Sequence, residues 1–355
     1  MVSNQIDSVI QKLDAPVLIT GHTGFKGSWL VLLLKNLGIP TIGISLPNEN
    51  QFLHENISSN LDIKEYFLDI RNEEELNRVI RQEQPKFIVH LAAQALVMNS
   101  YKNPKETFST NIMGTLNLLE ASTKLIKSPK IVVATTDKVY KNDGPPRRFS
   151  EIDPLGGKDP YSWSKVGTES VVGAYQQISK IVNGPEITSV RSGNVIGGGD
   201  KSIDRLLPDL IQGTFEKKKI TIRNPKSTRP WQHVLDPLWG YLLAITNDKY
   251  ENAFNFSPKE SSLTVNQVLQ IAKENLPIPL EIDFQQQIND KESLYLELNS
   301  DKSRKLLNWR NFWDQESAIK STIEWWKNVN LNGFTVAGAC DFDIKQFLES
   351  KINAK

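Results

Sequence analysis

Cysteine is almost absent from this chain, in which Cys340 is the one cysteine among 355 residues. A single cysteine cannot close an internal disulfide and cannot supply a cysteine-rich metal site. The sequence also lacks the HExxH and CxxC spacings of common metal centres, so it predicts no metal ligands. We therefore expect a protein of a reducing, cytoplasmic setting.

An excess of charge is lacking too, because 42 Lys and Arg residues face 41 Asp and Glu residues, for a net charge of +1. Such a balance argues against nucleic acid or an anionic membrane as the main partner. The most apolar span, 29–44, is interrupted by Lys35, Asn36, Gly38 and Pro40, which suits a helix, a turn and a strand better than a membrane crossing. The first residues do not resemble a signal peptide, so we expect neither export nor membrane insertion.

The chain does contain enough apolar material for a large core, since 39% of its residues are hydrophobic. This amount allows one or two domains. The first apolar run begins at Val17, and strand patterns then alternate with helix patterns. The strand patterns cover 41–46, 65–70, 86–91, 130–134 and 187–192. The helix patterns cover 28–37, 72–82 and a segment that ends near 121. This alternation predicts an α/β fold with a doubly wound parallel sheet.

Three glycines, Gly21, Gly24 and Gly27, separate the first apolar run from the first helix pattern. The first glycine permits a tight turn, the second lets a pyrophosphate approach the backbone, and the third lets the helix pack against the strand. The pattern predicts a dinucleotide-binding corner at the N-terminus of a helix, where the dipole favours an anion. A turn of purely structural purpose is the alternative.

The ends of the next strands do not decide between NAD and NADP. The second strand ends near Ser45. It carries neither the acidic side chain that hydrogen-bonds the ribose of NAD nor the basic side chain that binds the 2′-phosphate of NADP. Asp69 is a candidate acceptor for an adenine amino group, and equally a turn residue. Small residues after the fourth strand, at 91–93, leave room for a ligand across the sheet.

Tyr161 and Lys165 lie four residues apart and fall on one face of a predicted helix. A phenol titrates near pH 10 and needs a nearby cation to act as a base. We expect Lys165, together with a nicotinamide ring if one is bound, to lower the pKa of Tyr161. Such a pair is common by chance, but its position after a glycine turn favours a catalytic role.

Several motifs now point to a known family: GHTGFKGSWL at 21–30, TDKVY at 136–140, DPLGG at 153–157, DPY at 159–161, GNVIGGGD at 193–200 and RPWQHV at 229–234. In this order they resemble the extended short-chain dehydrogenase/reductases, and within them the CDP-glucose 4,6-dehydratase branch. The resemblance spans roughly residues 15–330. It implies NAD as a resident cofactor and a hydro-lyase that converts CDP-glucose to CDP-4-keto-6-deoxyglucose and water, in deoxysugar synthesis for surface polysaccharides such as O-antigen.

The resemblance also implies roles for individual residues. Tyr161 takes the proton of the sugar C4 hydroxyl as the hydride leaves C4, and Thr136 hydrogen-bonds that hydroxyl. Asp137 protonates the departing C6 hydroxyl. Lys138 stands where related dehydratases carry a glutamate that removes the C5 proton, so the identity of this base stays open. A solvated ion pair is the alternative for Asp137 and Lys138.

The remaining site predictions are two groups. The predicted cofactor contacts, drawn from the glycine turn, the strand ends and the tyrosine helix, are Gly21, Thr23, Gly24, Phe25, Lys26, Gly27, Asp69, Ile70, Leu91, Ala92, Ala93, Asn111, Thr135, Tyr161 and Lys165. The predicted substrate contacts are Gln94, Asn194, Arg205, Arg223 and Arg229. Guanidinium groups suit a diphosphate because they bind two oxygens at once. For Arg205 and Arg223 a surface position is an equal alternative.

We expect a dinucleotide-binding domain at 1–192 with 231–256, and a smaller, mostly C-terminal sugar-nucleotide lobe at 193–230 with 257–330. Residues 331–355 form a tail helix with no assigned role. The resemblance implies a homo-oligomer, most simply a two-fold dimer and otherwise a tetramer. Three alternatives remain open: an epimerase or reductase of the same fold, a dehydratase of another nucleoside diphosphate hexose, and a non-catalytic dinucleotide-binding protein.

Overall fold

The computed structural model describes residues 3–47, 51–222, 224–279, 281–284 and 295–353. The strands are β1 (Val17–Thr20), β2 (Thr41–Ser45), β3 (Ile63–Phe67), β4 (Phe87–His90), β5 (Lys130–Ala134), β6 (Arg148–Phe149), β7 (Glu186–Ser192), β8 (Asn194–Ile196), β9 (Ile220–Ile222), β10 (Thr228–Arg229), β11 (Trp231–His233), β12 (Ala253–Phe256), β13 (Leu263–Thr264), β14 (Ile282–Phe284) and β15 (Glu297–Leu298).

The α-helices are α1 (Ser3–Lys12), α2 (Phe25–Asn36), α3 (Phe52–Ile57), α4 (Glu73–Glu83), α5 (Val97–Lys102), α6 (Pro104–Phe108), α7 (Gly114–Thr123), α8 (Pro160–Val182), α9 (Leu206–Glu216), α10 (Leu235–Ile245), α11 (Val265–Asn275), α12 (Asp301–Leu306), α13 (Gln315–Asn330) and α14 (Val336–Asn353). Short 3₁₀ segments cover Ser58–Asn60 and Asp137–Val139, and a π-helical turn covers Ser109–Met113. Among the described helices, none is long and apolar enough to cross a bilayer.

A seven-stranded parallel sheet organises the fold, in the order β3-β2-β1-β4-β5-β7-β12. The connections run outward from β1 to one edge and then return to β4 on its other side. The predicted doubly wound α/β sheet is thus confirmed. Its strand order reverses between β1 and β4, which is where such sheets bind ligands.

Both faces of the sheet are covered by buried apolar side chains. One face packs against helices that include α2, α10, α13 and α14, in the larger hydrophobic cluster. The other face packs against α4, α7 and α8 in a smaller cluster. Because both faces are buried, the central strands read as continuous apolar runs.

Element boundaries follow the sequence patterns with instructive differences. β5 has the predicted limits, whereas β3 ends at Phe67 instead of continuing to Ile70. The prediction placed the start of the helix after the glycine turn at 28, but α2 begins at Phe25, directly after its N-cap residue Gly24. The long helix predicted through 121 contains a π-helical turn before Gly114.

The C-terminal segment, which the sequence left without a role, is part of the main core. α14 packs against α1, α2 and α3, and its Phe347 is fully buried. The ring of Phe347 stacks on Trp313, with ring centroids 5.8 Å apart. Similarly, Trp309 donates a hydrogen bond of 2.9 Å from Nε1 to the carbonyl oxygen of Asp236. The hydrogen bond joins Trp309 to α10, and the stacked rings join α14 to the segment before α13.

β8 and β11 pair with each other in parallel, outside the seven-stranded sheet. The sequence divides these strands between the two predicted domains. His233 of β11 lies with Nε2 3.6 Å from Oδ2 of Asp343, and its ring centroid is 4.0 Å from that of Trp313. The domain limits given above remain a prediction.

Candidate active site

The glycine turn after β1 has the geometry of a close-packed corner. Gly21 has a φ of +75°, and a Cβ on it would lie 2.7 Å from the backbone nitrogen of Ala92. A Cβ on Gly27 would collide with the carbonyl oxygen of Gly21. A Cβ on Gly24 would meet only that same oxygen, at 3.4 Å, so this side of the turn is open. The turn therefore offers a pyrophosphate access to the backbone at the N-terminus of α2.

β4 ends beside the same turn and carries a buried histidine. Nδ1 of His90 lies 2.6 Å from Oγ1 of Thr20, and Nε2 lies 2.9 Å from Oγ1 of Thr115. Burial, assisted by the charge of Lys165, lowers the pKa of His90 to about 3. His90 is therefore neutral and joins β1, β4 and α7 by hydrogen bonds.

Asn111 and Gln94, predicted to contact cofactor and substrate respectively, are hydrogen-bonded to each other. The backbone nitrogen of Gln94 donates to Oδ1 of Asn111 at 2.8 Å, and Nδ2 of Asn111 donates to Oγ of Ser164 at 2.8 Å. Nε2 of Gln94 donates to Oγ1 of Thr107 at 2.8 Å. These bonds fasten the loop after β4 to α8, while the ligand contacts of both residues remain predictions.

Tyr161 and Lys165 lie on the first turns of α8, where the sequence provides strong initiation signals. Asp159 caps the helix, its side chain and that of Ser162 forming a capping box, and Pro160 opens the first turn. The backbone nitrogen of Tyr161 donates to Oγ of Ser100 at 3.1 Å. Nζ of Lys165 donates to the carbonyl oxygen of Ala134 at the end of β5, at 3.1 Å. The first bond ties the start of α8 to α5, and the second fixes the Lys165 side chain against the sheet.

The pKa of Tyr161 differs from the sequence expectation. Burial raises it to about 12, and the negative charge of Asp137 acts in the same direction, against the hydrogen bond with Thr136. The expectation that the protein's own Lys165 lowers this pKa is wrong for the structure described, because desolvation of the phenolate dominates. Burial, followed by the charge of Lys26, instead lowers the pKa of Lys165 to about 8.

Asp137 and Lys138 form the polar centre at the end of β5. Oγ1 of Thr136 donates to Oδ1 of Asp137 at 3.0 Å, and Nζ of Lys138 donates to the same oxygen at 3.2 Å. The Asp137 side chain is fully buried, whereas that of Lys138 is 25% exposed. The pair is therefore not a solvated surface pair. Within the described part of the chain, Oδ2 of Asp137 has no hydrogen-bond partner.

The residues predicted to bind substrate are distributed over β8, β10 and the start of α9. Nη1 of Arg205 donates to Oδ2 of Asp200 at 3.3 Å, and its charge acts on Tyr161, which lies close to it. Arg229 is buried in β10, and Nη1 donates to the carbonyl oxygen of Thr228 at 2.8 Å. Asn194 begins β8 opposite Trp231. The predicted Arg223 lies outside the described residues.

Asp69 has the local contacts of a turn residue. Its Oδ1 accepts a hydrogen bond of 2.8 Å from the backbone nitrogen of Arg71, and its carboxylate pairs with the guanidinium of the same residue. The hydrogen bond from the Arg71 side chain lowers the pKa of Asp69. The turn interpretation describes these contacts, and the adenine contact remains a prediction.

Sequence reasoning missed a buried ion pair behind the site. Glu169 accepts hydrogen bonds from Nε and Nη2 of Arg191, at 2.8 and 2.7 Å, and from Oγ1 of Thr135 at 2.6 Å. Two features of the sequence could have indicated this ion pair. Glu169 lies one helical turn after Lys165, and Arg191 is a charged residue inside the apolar strand β7. The pair holds α8, β5 and β7 together directly behind the catalytic candidates.

Together, the parallel sheet, the glycine turn at its switch point and the tyrosine and lysine on α8 define an enzyme of the extended short-chain dehydrogenase/reductase class. More narrowly, the chain belongs to the GDP-mannose 4,6-dehydratase family, whose model matches residues 18–335. The family resemblance predicted from the motifs is confirmed.

Individual relatives agree with this assignment. The chain is 36% identical over 327 residues to a CDP-glucose 4,6-dehydratase of Salmonella typhimurium, which covers 88% of this chain and 90% of the relative. Its fold is similar to that of a UDP-glucose 4-epimerase of Thermotoga maritima, with 24% identity, a TM-score of 0.79 and coverage of 88% and 99% of the two chains. It is likewise similar to a dTDP-glucose 4,6-dehydratase of Streptomyces venezuelae solved with NAD, with 21% identity, a TM-score of 0.78 and coverage of 91% and 99%.

Proposed function

We propose that the protein is an NAD-dependent hydro-lyase that converts CDP-glucose to CDP-4-keto-6-deoxyglucose and water. The observation that carries the proposal is the buried carboxyl of Asp137, with an unpartnered oxygen, beside the hydroxyl of Thr136 and the phenol of Tyr161. Removal of a hydroxyl group requires an acid at this place, whereas epimerisation does not. The relative with 36% identity supports CDP-glucose as the substrate.

The residues of the turn suit NAD, because the open side at Gly24 and the positive end of α2 fit a pyrophosphate. When bound, NAD accepts a hydride from the sugar and later returns it. We propose that Lys165 contacts the nicotinamide ribose, with the other predicted cofactor residues around the turn and the strand ends. The proposed ligands of the substrate diphosphate are Arg205, Arg223 and Arg229, and the further substrate contacts are Asn194 and Gln94.

In the proposed reaction, Tyr161 takes the proton from the C4 hydroxyl while Thr136 hydrogen-bonds that oxygen. The positive charge of a bound nicotinamide ring would lower the pKa of Tyr161 from its raised value, so that the phenolate can act as the base. The ketone formed at C4 makes the C5 proton acidic. Lys138 removes this proton, and Asp137 donates a proton to the departing C6 hydroxyl, which leaves as water. Each proton transfer has a named donor or acceptor among the chain's own side chains.

The short contact between Asp137 and Lys138 explains how one pair can supply both groups. Transfer of one proton from Nζ of Lys138 to Oδ1 of Asp137 over 3.2 Å turns an ion pair into a neutral acid and a neutral amine. The amine is then able to take the C5 proton, and the carboxylic acid is able to protonate the C6 oxygen. Elimination returns the pair to its ionic form. Lys138 then gives a proton back to C5 as the hydride returns to C6, and the proton that Tyr161 took from the C4 hydroxyl reprotonates the lysine, so the protons balance over one turnover.

We further propose that the protein is a homo-oligomer and that it acts in the cytoplasm. We also propose the two domains with the limits predicted from the sequence. The outer face of α8 exposes Trp163, Ile178 and Ile181, of which Ile181 is 83% exposed. The positions fall within about 60° of one another around the helix. An apolar stripe of this kind suits a two-fold contact between copies.

The test mixes purified protein and NAD separately with CDP-, dTDP-, UDP- and GDP-glucose, and measures product mass and the alkaline absorbance of a 4-keto-6-deoxy sugar. We expect loss of one water from CDP-glucose alone. Dehydration of a different nucleotide sugar would support the proposed reaction but would show that CDP-glucose is not the substrate. A product of unchanged mass would indicate an epimerase, and no reaction with any of the four would contradict the proposal.

A further inference from the structure

Three potential metal ligands from three separate elements meet beside β2 and β3. His22 belongs to the glycine turn, His54 to α3 and Glu65 to β3. Nε2 of His22 lies 2.9 Å from Oε1 of Glu65, and Nε2 of His54 lies 3.2 Å from the same oxygen. The three donor atoms all lie within 4.8 Å of one another.

Local sequence explains why these side chains converge. Gly43 of β2 pairs in register with Glu65 of β3, so the two positions are neighbours on the sheet. A Cβ on Gly43 would lie 2.5 Å from Cγ of His22, which shows that the missing side chain makes room for the imidazole. The ring of His22 therefore lies over Gly43 and reaches the carboxylate on the next strand. α3 places His54 edge-on to it, with ring centroids 5.5 Å apart.

We propose that His22, His54 and Glu65 form a binding site for a first-row divalent cation, with Zn²⁺ as the best match. Two imidazole nitrogens and one carboxylate oxygen are a known zinc donor set, which leaves a fourth position for water. Zinc bonds of about 2.0–2.2 Å place tetrahedral ligand atoms roughly 3.3 Å apart. Two of the three separations, 2.9 and 3.2 Å, lie close to that spacing, and the two nitrogens lie within 4.8 Å of each other.

The surroundings of the cluster also suit a cation. Nδ1 of both rings has no hydrogen-bond partner among the described residues, so the polar contacts of both rings converge on Glu65. The Glu65 side chain is 26% exposed, which gives an ion a path from solvent.

A cation at this position would join the glycine turn, α3 and β3. The site is separate from Asp137, Tyr161 and Lys165, and it does not depend on the proposed reaction. We assign it a structural role, because it ties the turn to the outer strand.

The experiment uses the full chain without an affinity tag, stripped of metal by a chelator. Zn²⁺ is titrated by calorimetry, and Co²⁺ is added separately because its visible spectrum reports the ligand geometry. We expect one Zn²⁺ per chain, a rise in melting temperature on binding, and a Co²⁺ spectrum typical of four-coordinate N and O ligands.

Three variants assign the ligands. Glu65→Gln keeps an oxygen that accepts hydrogen bonds from both rings but removes the charge, and His54→Phe removes one donor while retaining an aromatic ring. Each should weaken Zn²⁺ binding at least 100-fold, beyond the roughly 10–100-fold effect of losing an outer-shell partner. Glu74→Gln, which alters an exposed acid on α4 away from the cluster, is the control and should bind as the unmodified protein does.

Two results would overturn the proposal. One is a stripped protein that takes up no Zn²⁺ or Co²⁺. The other is binding of equal strength in the Glu65→Gln and His54→Phe variants, which would place the metal elsewhere. Circular dichroism of the metal-free variants checks that they are folded, and because the readout is binding, neither result depends on the substrate test above.

Discussion

Asp137 and Lys138, adjacent in the chain, share one contact: Nζ of Lys138 lies 3.2 Å from Oδ1 of Asp137, while Oδ2 of Asp137 has no hydrogen-bond partner in the described part of the chain. One carboxylate oxygen thus pairs with the lysine and the other is available to a substrate. The relationship gives each residue a separate task, and the two tasks can be tested separately.

Replacement of Asp137 by Asn should stop elimination without stopping oxidation. The amide cannot protonate the C6 oxygen, so we expect water loss to slow at least 100-fold, within the range of general acid catalysis. Hydride removal from C4 remains possible, so reduced nicotinamide should accumulate in a single-turnover absorbance experiment. Asp143→Asn, which alters an exposed ion pair, should leave turnover unchanged. Normal turnover in the Asp137 variant would remove this residue from the acid role.

Replacement of Lys138 by Met should remove the C5 base. We expect exchange of the C5 hydrogen with deuterated solvent, followed by mass spectrometry, to fall about 100-fold or more. Lys138→Arg should not restore exchange, because arginine keeps its proton. Exchange at the normal rate in both variants would assign the base to another group.

His90 should make the fold sensitive to acid. Its pKa is about 3 in the folded protein and about 6.5 when unfolded, so below pH 6.5 the unfolded chain binds the extra proton. The free energy of unfolding should therefore fall by up to about 1.4 kcal/mol per pH unit as the pH drops from 6.5 toward 3. Urea unfolding at several pH values measures this slope.

His90→Asn provides the comparison for that slope. The variant loses some stability at neutral pH, because the hydrogen bonds to Thr20 and Thr115 change. It should nevertheless lose less stability per pH unit than the unmodified protein. An identical slope in both proteins would show that His90 does not control the acid response.

Glu169→Gln should destabilise the protein strongly, because it leaves the buried guanidinium of Arg191 without its counter-charge. Loss of one partner of a buried pair costs about 3–5 kcal/mol, measurable by denaturant unfolding. The double variant Glu169→Gln with Arg191→Met should recover part of that loss, since no unpaired charge is then buried. Equal stability of the single variant and the unmodified protein would contradict this account.

The sheet was predictable from the sequence because its strands are buried on both faces and follow the alternation of strand and helix. The glycine turn was predictable as well, since its three glycines have fixed spacing and distinct steric tasks. β8 and β11 were not predictable as a pair, because three-residue strands carry too little pattern to indicate a partner.

The site itself was predictable as a set of residues but not in its electrostatics. Motifs placed Thr136, Asp137, Tyr161 and Lys165 at neighbouring positions, which the structure brings to the ends of β5 and α8. The direction of the Tyr161 pKa depends on how deeply the ring is buried, and only tertiary packing decides that. The cluster around Glu65 depends on a register between β2 and β3 that no local spacing reveals.

The position of α14 has a consequence for how the protein is made. Its residues from 336 onward pack on α1 and α2, which leave the ribosome before α14 does, and Phe347 lies in the core beside Trp239 and Trp313. Contacts between such distant parts of the chain form late and slow the folding reaction. During synthesis, the α2 side chains that α14 covers therefore stay exposed until α14 has emerged, and a chaperone that shields them would act in that interval.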